Sequence, residues 1–427
     1  MGEANVWVVV VNIVLATLLS LGGAPILVWM ERRVAGLIQD RLGPNRCHIG
    51  GIRLFGLVQS VADMLKLVFK EDFHPRHVKQ NLLYTLAPAI VFACAFLTFM
   101  VMPLADTLVL GDKSYIMQAL PIEFGLLWFL AFAGLSVYGI LLGGWASNNK
   151  YSLLGALRAS AQVVSYEAAM TLSLVSMLIV YGTVHLSDIA AFQGKLLFGV
   201  LPAWGVVLQP LAAFIFIVTA FAETNRAPFD MAEGESEIVG GFHTEYSAMR
   251  FGLFFVGEYI AMCASSAIII TLFFGGYQIP WASTAFLKAH ITEVLGVIMV
   301  LLPLLCWLFI GWMRRQNRWI NPSDPRAKET AVLAKVFIGM TVVLELGLAA
   351  LVFGGMGEDG VSISVAALQV LTFALKLYAM NFVYIWVRWT LPRFRYDHLQ
   401  MLSWKVLLPL ALANVVVTAL VVVGMGW

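Results

Sequence analysis

AFAETNRAPFDMAEGESEIVGGFHTEYS, residues 220–247, is a polar island between two apolar runs, 203–222 and 249–275. Each run is long enough for a helix that crosses a bilayer, which takes roughly 20 apolar residues. The island holds six carboxylates (Glu223, Asp230, Glu233, Glu235, Glu237 and Glu245) and one fixed positive charge, Arg226. A chain that turns back between two such runs is polytopic, and the acids gather at one membrane edge.

The whole sequence agrees with that reading. Of 427 residues, 60% are hydrophobic and 12% charged, against about 25% charged in an average soluble domain. A mean hydropathy of +0.86 leaves no room for a large soluble domain. Residues 1–427 are expected to form a single integral membrane domain of helices, not barrel strands. Cys47, Cys94, Cys263 and Cys306 form no CxxC pair. A cysteine-ligated iron–sulfur cluster or structural zinc is therefore not expected, and no metal site is assigned. Neither a GxGxxG fingerprint nor a GxxxxGK[ST] loop occurs, so a nucleotide would have to be held by another chain. The first apolar run has no basic leader or small-residue cleavage site and reads as a retained span.

Ten spans are expected, near 6–30, 82–105, 122–144, 164–184, 203–222, 249–275, 290–313, 331–354, 362–388 and 405–425. Their loops alternate sides. The set 31–81, 145–163, 223–250, 314–335 and 388–405 holds 23 of the 27 Lys and Arg residues. The opposite set holds Lys113, Lys195 and Lys288, and Lys376 falls inside a span. Positive residues mark the cytoplasmic side, which puts both termini outside.

Within 31–81, Gln59, Asp63, Lys66 and Lys70 recur at spacings of four, three and four. They share one helical face, and Phe55, Val58, Val61, Leu65 and Val68 cover much of the rest. This amphipathic helix either lies on lipid or turns its polar stripe to a chamber inside the protein. Further on, Arg158, Gln162 and Ser165 or Tyr166 share a face at the entry to the fourth span.

The acidic island, 223–248, reads as a solvated loop or as a coupled cluster. Phe221, Phe229, Met231, Ile238, Val239 and Phe242 interleave its acids, so it is not hydrophilic enough to float free. Asp230, Glu233 and Glu237 would share one helical face. Crowded, partly buried carboxylates raise one another's pKa and hold protons jointly, as a proton relay needs. Glu167, Glu258, Glu345 and the outer-end Glu123 lie in or at the ends of spans, where ionisable groups are costly and face a partner or a wet cavity. Glu167 and Glu258 lie at the depth of the acidic loop.

Five motifs follow in order: ERRVAGLIQDRLGPNR (31–46), VADMLKLVFKED (61–72), GWASNNKYSLLGALRASAQVVSYE (144–167), AETNRAPFDMAEGESEIVGGFHTEYS (222–247) and RWTLPRFRYDHLQMLSWK (388–405). Over nearly its whole length the chain resembles the family of H subunits of the proton-pumping NADH–quinone oxidoreductase, respiratory complex I, whose mitochondrial counterpart is NADH dehydrogenase subunit 1. A homologous subunit of membrane-bound nickel–iron hydrogenases and a stand-alone proton or ion carrier are the alternatives. The carrier would show internal repeats and broken helices, and the sequence shows neither.

The resemblance implies about eight tilted helices forming the membrane entrance and lower chamber of a tunnel for a quinone, ubiquinone or menaquinone. By resemblance, Glu31, Arg32, Arg41, Asp63, Lys66 and Arg388 line or shape that tunnel. Glu167, Glu223, Asp230, Glu233, Glu235, Glu237 and Glu258 match the family's acidic coupling path, with Arg226 as counter-ion. FMN and iron–sulfur clusters would belong to partner subunits. The implied partners are the soluble cluster-bearing and quinone-site subunits, the small membrane-arm subunits and lipid, with no nucleic acid. Against the family pattern, residues 280–360 insert two apolar spans and the basic loop RRQNRWINPSDPRAK after LFFGG (272–276), and His398 stands where Gln is expected.

Overall fold

A computed structural model describes residues 6–197, 199–232, 234–318, 324 and 328–425, without the side chains of residues 235, 236 and 425. The chain is an all-α polytopic membrane protein. The helices, in order, are α1 (Val6–Ser20), α2 (Ala24–Ile38), α3 (Leu57–Phe69), α4 (Asn81–Met100), α5 (Gly125–Ala146), α6 (Lys150–Tyr181), α7 (Leu186–Phe192), α8 (Gly205–Leu208), α9 (Pro210–Glu223), α10 (Glu235–Ile238), α11 (Ala248–Phe273), α12 (Thr284–Ala289), α13 (Ile291–Gln316), α14 (Glu329–Phe353), α15 (Glu358–Thr390), α16 (Tyr396–Met401) and α17 (Leu408–Met425). Two small antiparallel ribbons, Leu108–Leu110 with Lys113–Tyr115 and Leu196–Leu197 with Leu201–Pro202, close the connections after α4 and α7.

Among the described residues, nine helical segments are long and apolar enough to cross a membrane, with α1 and α2 joined as one and α16 running on into α17. The remaining expected span, 203–222, is broken. Gln209 leaves helical geometry, and Pro210, which has no N–H to donate, starts α9 afresh. The 14 residues of α9 rise about 21 Å, short of the ~30 Å core.

The most deeply buried span is α11, which packs against α4, α9, α15 and α2. Small residues let these helices approach closely. A Cβ at Gly139 of α5 would lie 2.6 Å from Val91 Cγ2 and 3.0 Å from the Ala87 carbonyl on α4. Hydrogen bonds between α11 and α15 join Ser265 Oγ to Tyr384 Oη (2.6 Å) and Ser266 Oγ to Asn381 Oδ1 (2.9 Å). Lys376, the cation inside a span, has a structural partner set. Its Nζ donates to the carbonyls of Phe274 (2.8 Å), Gly276 (3.0 Å) and Gln278 (2.6 Å), satisfying chain ends just past α11 that a helix leaves open.

The helix pair α13 and α14 packs mainly on itself. Its membrane faces are largely uncovered, and no residue in the central part of α14 is buried. Glu345 lies on α14.

Candidate functional site: an arginine-bridged acidic cavity

Four elements converge at one end of the bundle: the C-terminal half of α2, the segment after α9, the first turns of α11 and the last turn of α15. Arg226 is their hub. Its side chain is 2% exposed. Its Nη1 lies 2.8 Å from Glu31 Oε2 on α2, and its Nε lies 2.6 Å from Glu258 Oε1 on α11. Glu31 Oε2 also accepts the Tyr259 hydroxyl at 2.6 Å, and its Oε1 pairs with Arg388 Nη1 at 2.7 Å. The Arg226 guanidinium lies 4.2 Å from the centre of the Tyr259 ring, a cation–π distance. Burial pulls the Arg226 pKa down, but Glu258 and then Glu31 raise it further, so the net shift is well upward and the group stays charged. Two acids and two guanidiniums thus neutralise one another where no single charge could be buried alone.

Beside this network is a cavity of about 460 Å³. Its charged lining comprises Glu31, Arg32, Arg41, Glu223, Glu258 and Arg388, and its broad apolar wall includes Phe129, Phe132, Phe251, Phe254, Phe255, Tyr259 and Trp389. On α2 the lining residues are Val28, Glu31, Arg32 and Ala35, one helical face. Glu223 closes α9, and its Oε2 is buried without a hydrogen-bond partner among the described residues. Glu167 is within electrostatic reach of Glu223. It faces Gly134 of α5, where an added Cβ would lie 3.1 Å from its Oε1, but it does not line the cavity.

Residues 224–232 and 234, between α9 and α10, are not helical, so the expected common helical face of Asp230 and Glu237 does not form. Pro228 cannot donate within a helix, and the polar face of α6 grips the segment instead. Gln162 Nε2 donates to the carbonyls of Ala222 (2.6 Å) and Phe229 (2.8 Å). Asp230 pairs with Arg393 at 2.7 Å, and Glu237 pairs with Arg158 at 2.6 Å on an exposed face. Glu233 and the Glu235 side chain lie outside the described residues.

Burial pushes the Asp230 carboxyl up to about 6; Arg393 opposes that rise, Glu258 adds to it and Arg388 opposes it. A group whose pKa rises on folding adds stability below its unfolded pKa, and that contribution is lost as pH rises through its folded value. For Asp230 the window runs from about 4 to about 6. Asp230→Asn removes this titration. The wild type should therefore lose thermal stability relative to the variant between about pH 4 and pH 6. A difference in unfolding temperature that stays constant over that range would contradict the assignment.

On α3, Asp63 Oδ2 pairs with Arg32 Nη2 at 2.6 Å, and Gln59 Nε2 donates to Asp63 Oδ1 at 3.2 Å. Asp63 borders a small pocket of about 80 Å³ that shares Val28, Arg32, Phe255 and Tyr259 with the larger cavity. Lys66 is exposed and borders neither. The apolar side of α3 (Val61, Met64, Leu65, Val68 and Phe69) is also exposed. Sequence reasoning missed Tyr259 and Arg393. Tyr259 follows Glu258 inside an apolar run, and only the fold brings it to Glu31.

The architecture and this site define a polytopic helical membrane protein with a buried, arginine-bridged acidic cavity at one end of its bundle. The family model described as NADH dehydrogenase matches residues 10–322 and 327–419. The chain belongs to that family. Its matched stretches run across α13 and α14. A Bdellovibrio bacteriovorus protein, named as the H subunit of NADH-quinone oxidoreductase, is 38% identical over 96% of this chain and 95% of its own. A Salinibacter ruber protein of the same name is 38% identical over 94% and 92%. A Rhodothermus marinus protein named NADH-quinone oxidoreductase subunit 8 is 39% identical over 93% and 92%.

Proposed function

We propose that this chain is the membrane subunit of an NADH–quinone oxidoreductase that admits the quinone and couples its reduction to proton translocation. The observation that carries the reading is the cavity: an aromatic and aliphatic wall beside a charged end built from Glu31, Arg32, Glu223, Glu258 and Arg388. Its volume is within the usual range for small-molecule sites, about 300–1,000 Å³. The flat wall suits a quinone ring and its apolar tail. Reducing a quinone to a quinol takes two electrons and two protons, and the clusters of soluble partner subunits supply the electrons. Arg32 and Arg388 are placed to stabilise negative charge arising on the quinone oxygens. Glu223, which has no ion-pair partner among the described residues, can give a proton and be re-protonated through Glu167 and the acidic segment. The network centred on Arg226 holds the chamber wall in place and conveys its charge state to α2, α11 and α15.

In this reading FMN and iron–sulfur clusters belong to partner subunits, and the chain assembles with the soluble quinone-site subunits and the small membrane-arm subunits. The membrane is then a bacterial inner membrane, and the Lys and Arg distribution supports both termini outside and the acidic segment in the cytoplasm.

Arg32→Ala tests the substrate reading. Arg32 is 45% exposed in its pair with Asp63, so its loss should cost assembly little, within about 1 kcal/mol. The KM for a short-chain quinone should rise about fivefold or more while NADH oxidation by an artificial acceptor, which needs only the soluble arm, is kept. An unchanged KM in assembled complex would count against a quinone headgroup at this end of the cavity.

A further inference from the structure

The added helix pair is tied to the cavity wall by a buried cluster on the far face of α2. Glu329, the first residue of α14, is fully buried. Its Oε1 accepts the backbone N–H of Arg53 (3.1 Å) and of Phe55 (3.2 Å), and its Oε2 accepts Arg53 Nε at 2.5 Å. Arg53 is itself 5% exposed. It also donates to Asn45 Oδ1 and, at 3.1 Å, to Asn317 Oδ1 near the end of α13. Asn317 Nδ2 in turn donates to Thr330 Oγ1 at 2.9 Å, closing the base of the pair.

The turn held by Glu329 has an unusual backbone. Leu54, Phe55 and Gly56 take φ of +49°, +59° and +98°. Two successive non-glycine residues in the left-handed region carry strain that surrounding contacts must hold. Those contacts come from both sides. The Phe55 ring packs on Phe309 and Trp312 of α13, with centroids 5.7 and 6.1 Å apart. The Phe55 carbonyl accepts Trp29 Nε1 (2.9 Å) and Arg33 Nε (3.2 Å) from α2. Trp29 and Arg33 are one turn apart, and the opposite stripe of the same helix lines the cavity. Arg41 starts the connection that leads to this turn and also borders the cavity.

We propose that Glu329 is a positioning residue, through which the added helix pair latches the 44–56 turn and so fixes the α2 and Arg41 wall of the cavity. A surface hairpin held only by lipid would need no buried carboxylate. Here the carboxylate satisfies two backbone donors and a guanidinium that would otherwise be buried unpaired. The consequence for quinone rests on the function proposed above; the latch itself does not.

The test uses assembled complex in native membranes with Glu329→Ala and Glu329→Gln. Cys47 lies within the latched turn, half-buried, with Sγ 4.0 Å from the Val58 carbonyl. Its alkylation rate, followed on its own peptide by mass spectrometry, reports the turn without reference to activity. Glu329→Ala should speed Cys47 labelling about tenfold or more, because the latch is a buried pair. It should also raise the quinone KM about threefold or more with little change in kcat, since a misplaced wall weakens binding first. Glu329→Gln keeps an acceptor for the backbone donors and should fall between wild type and alanine. If Glu329→Ala does not assemble, Asn317→Ala leaves the Glu329–Arg53 pair in place, removes the outer contact of Arg53 and the bond to Thr330, and should give a smaller shift in the same direction. Unchanged Cys47 labelling in the variants that assemble would overturn the latch. Faster labelling with an unchanged quinone KM would overturn its link to the cavity wall, while the quinone reading is judged separately by Arg32→Ala.

Discussion

Arg226→Leu should be the most damaging single substitution in the chain. It removes the group that bridges Glu31 and Glu258 at 2.8 and 2.6 Å and leaves both carboxylates facing an apolar side chain. Removing one partner of a buried ion pair costs about 3–5 kcal/mol. That is a large share of the roughly 5–15 kcal/mol that typically separates folded from unfolded domains. The amount of assembled complex should fall severely, and quinone-linked turnover in what remains should fall about 100-fold or more. Arg226→Lys keeps the charge, but a single ammonium cannot reproduce the two-armed geometry. It should give an intermediate loss, with assembly closer to normal. Assembly and turnover near wild type for Arg226→Leu would mean that Arg388 alone neutralises the two acids, and the hub would have to be abandoned.

Glu223→Gln should separate chemistry from folding. Among the described residues Glu223 makes no ion pair, and one of its buried oxygens has no partner, so the amide breaks none of the described contacts that hold the fold. Assembly should be normal, with stability within about 1 kcal/mol of wild type. Turnover should not be normal. An acid–base group that moves a proton contributes about 10²–10⁴-fold to rate, and glutamine cannot titrate. Quinone reduction and proton pumping should both fall at least about 10-fold, while NADH oxidation by an artificial acceptor is retained. Glu167→Gln should act on the same function, and the double variant should lose less than the sum of the two singles. Normal pumping by Glu223→Gln at normal complex levels would leave the cavity without its proton donor.

What the sequence made legible follows from what is local. Apolar runs of bilayer length are read from consecutive residues, and among the described residues the bundle has helices of that length at all the expected places but 203–222. The break at Gln209–Pro210 was visible as a proline but was covered by the hydropathy of its neighbours. Glu31, Arg32, Arg41 and Arg388 could be named from motifs, and they do converge on one cavity. Their pairing could not be read, because Glu31 and Arg226 are 195 residues apart and no helical spacing links them. The α3 stripe has a similar limit. Gln59, Asp63 and Lys66 share a face in sequence, but the helix meets α2 through Asp63 and Arg32 and leaves Lys66 outside. The α13–α14 pair was plain as two apolar runs after LFFGG. Its attachment through Glu329 and Arg53 was not, since neither residue belongs to a pattern.

If quinone occupies the arginine-bridged cavity, a photoreactive quinone should mark the cavity's own wall. The probe is a short-chain quinone with a photoreactive azide on its ring, irradiated with assembled complex in native membranes and mapped on peptides. The expected adducts lie on cavity-lining residues of α2 (28–35), at 223–225, on α11 (251–265) and at 388–389, and excess unlabelled quinone should suppress them. Competed labelling confined to the open apolar groove of α13 and α14, around Leu302, Phe309 and Phe337, with the cavity peptides unmodified, would contradict the account.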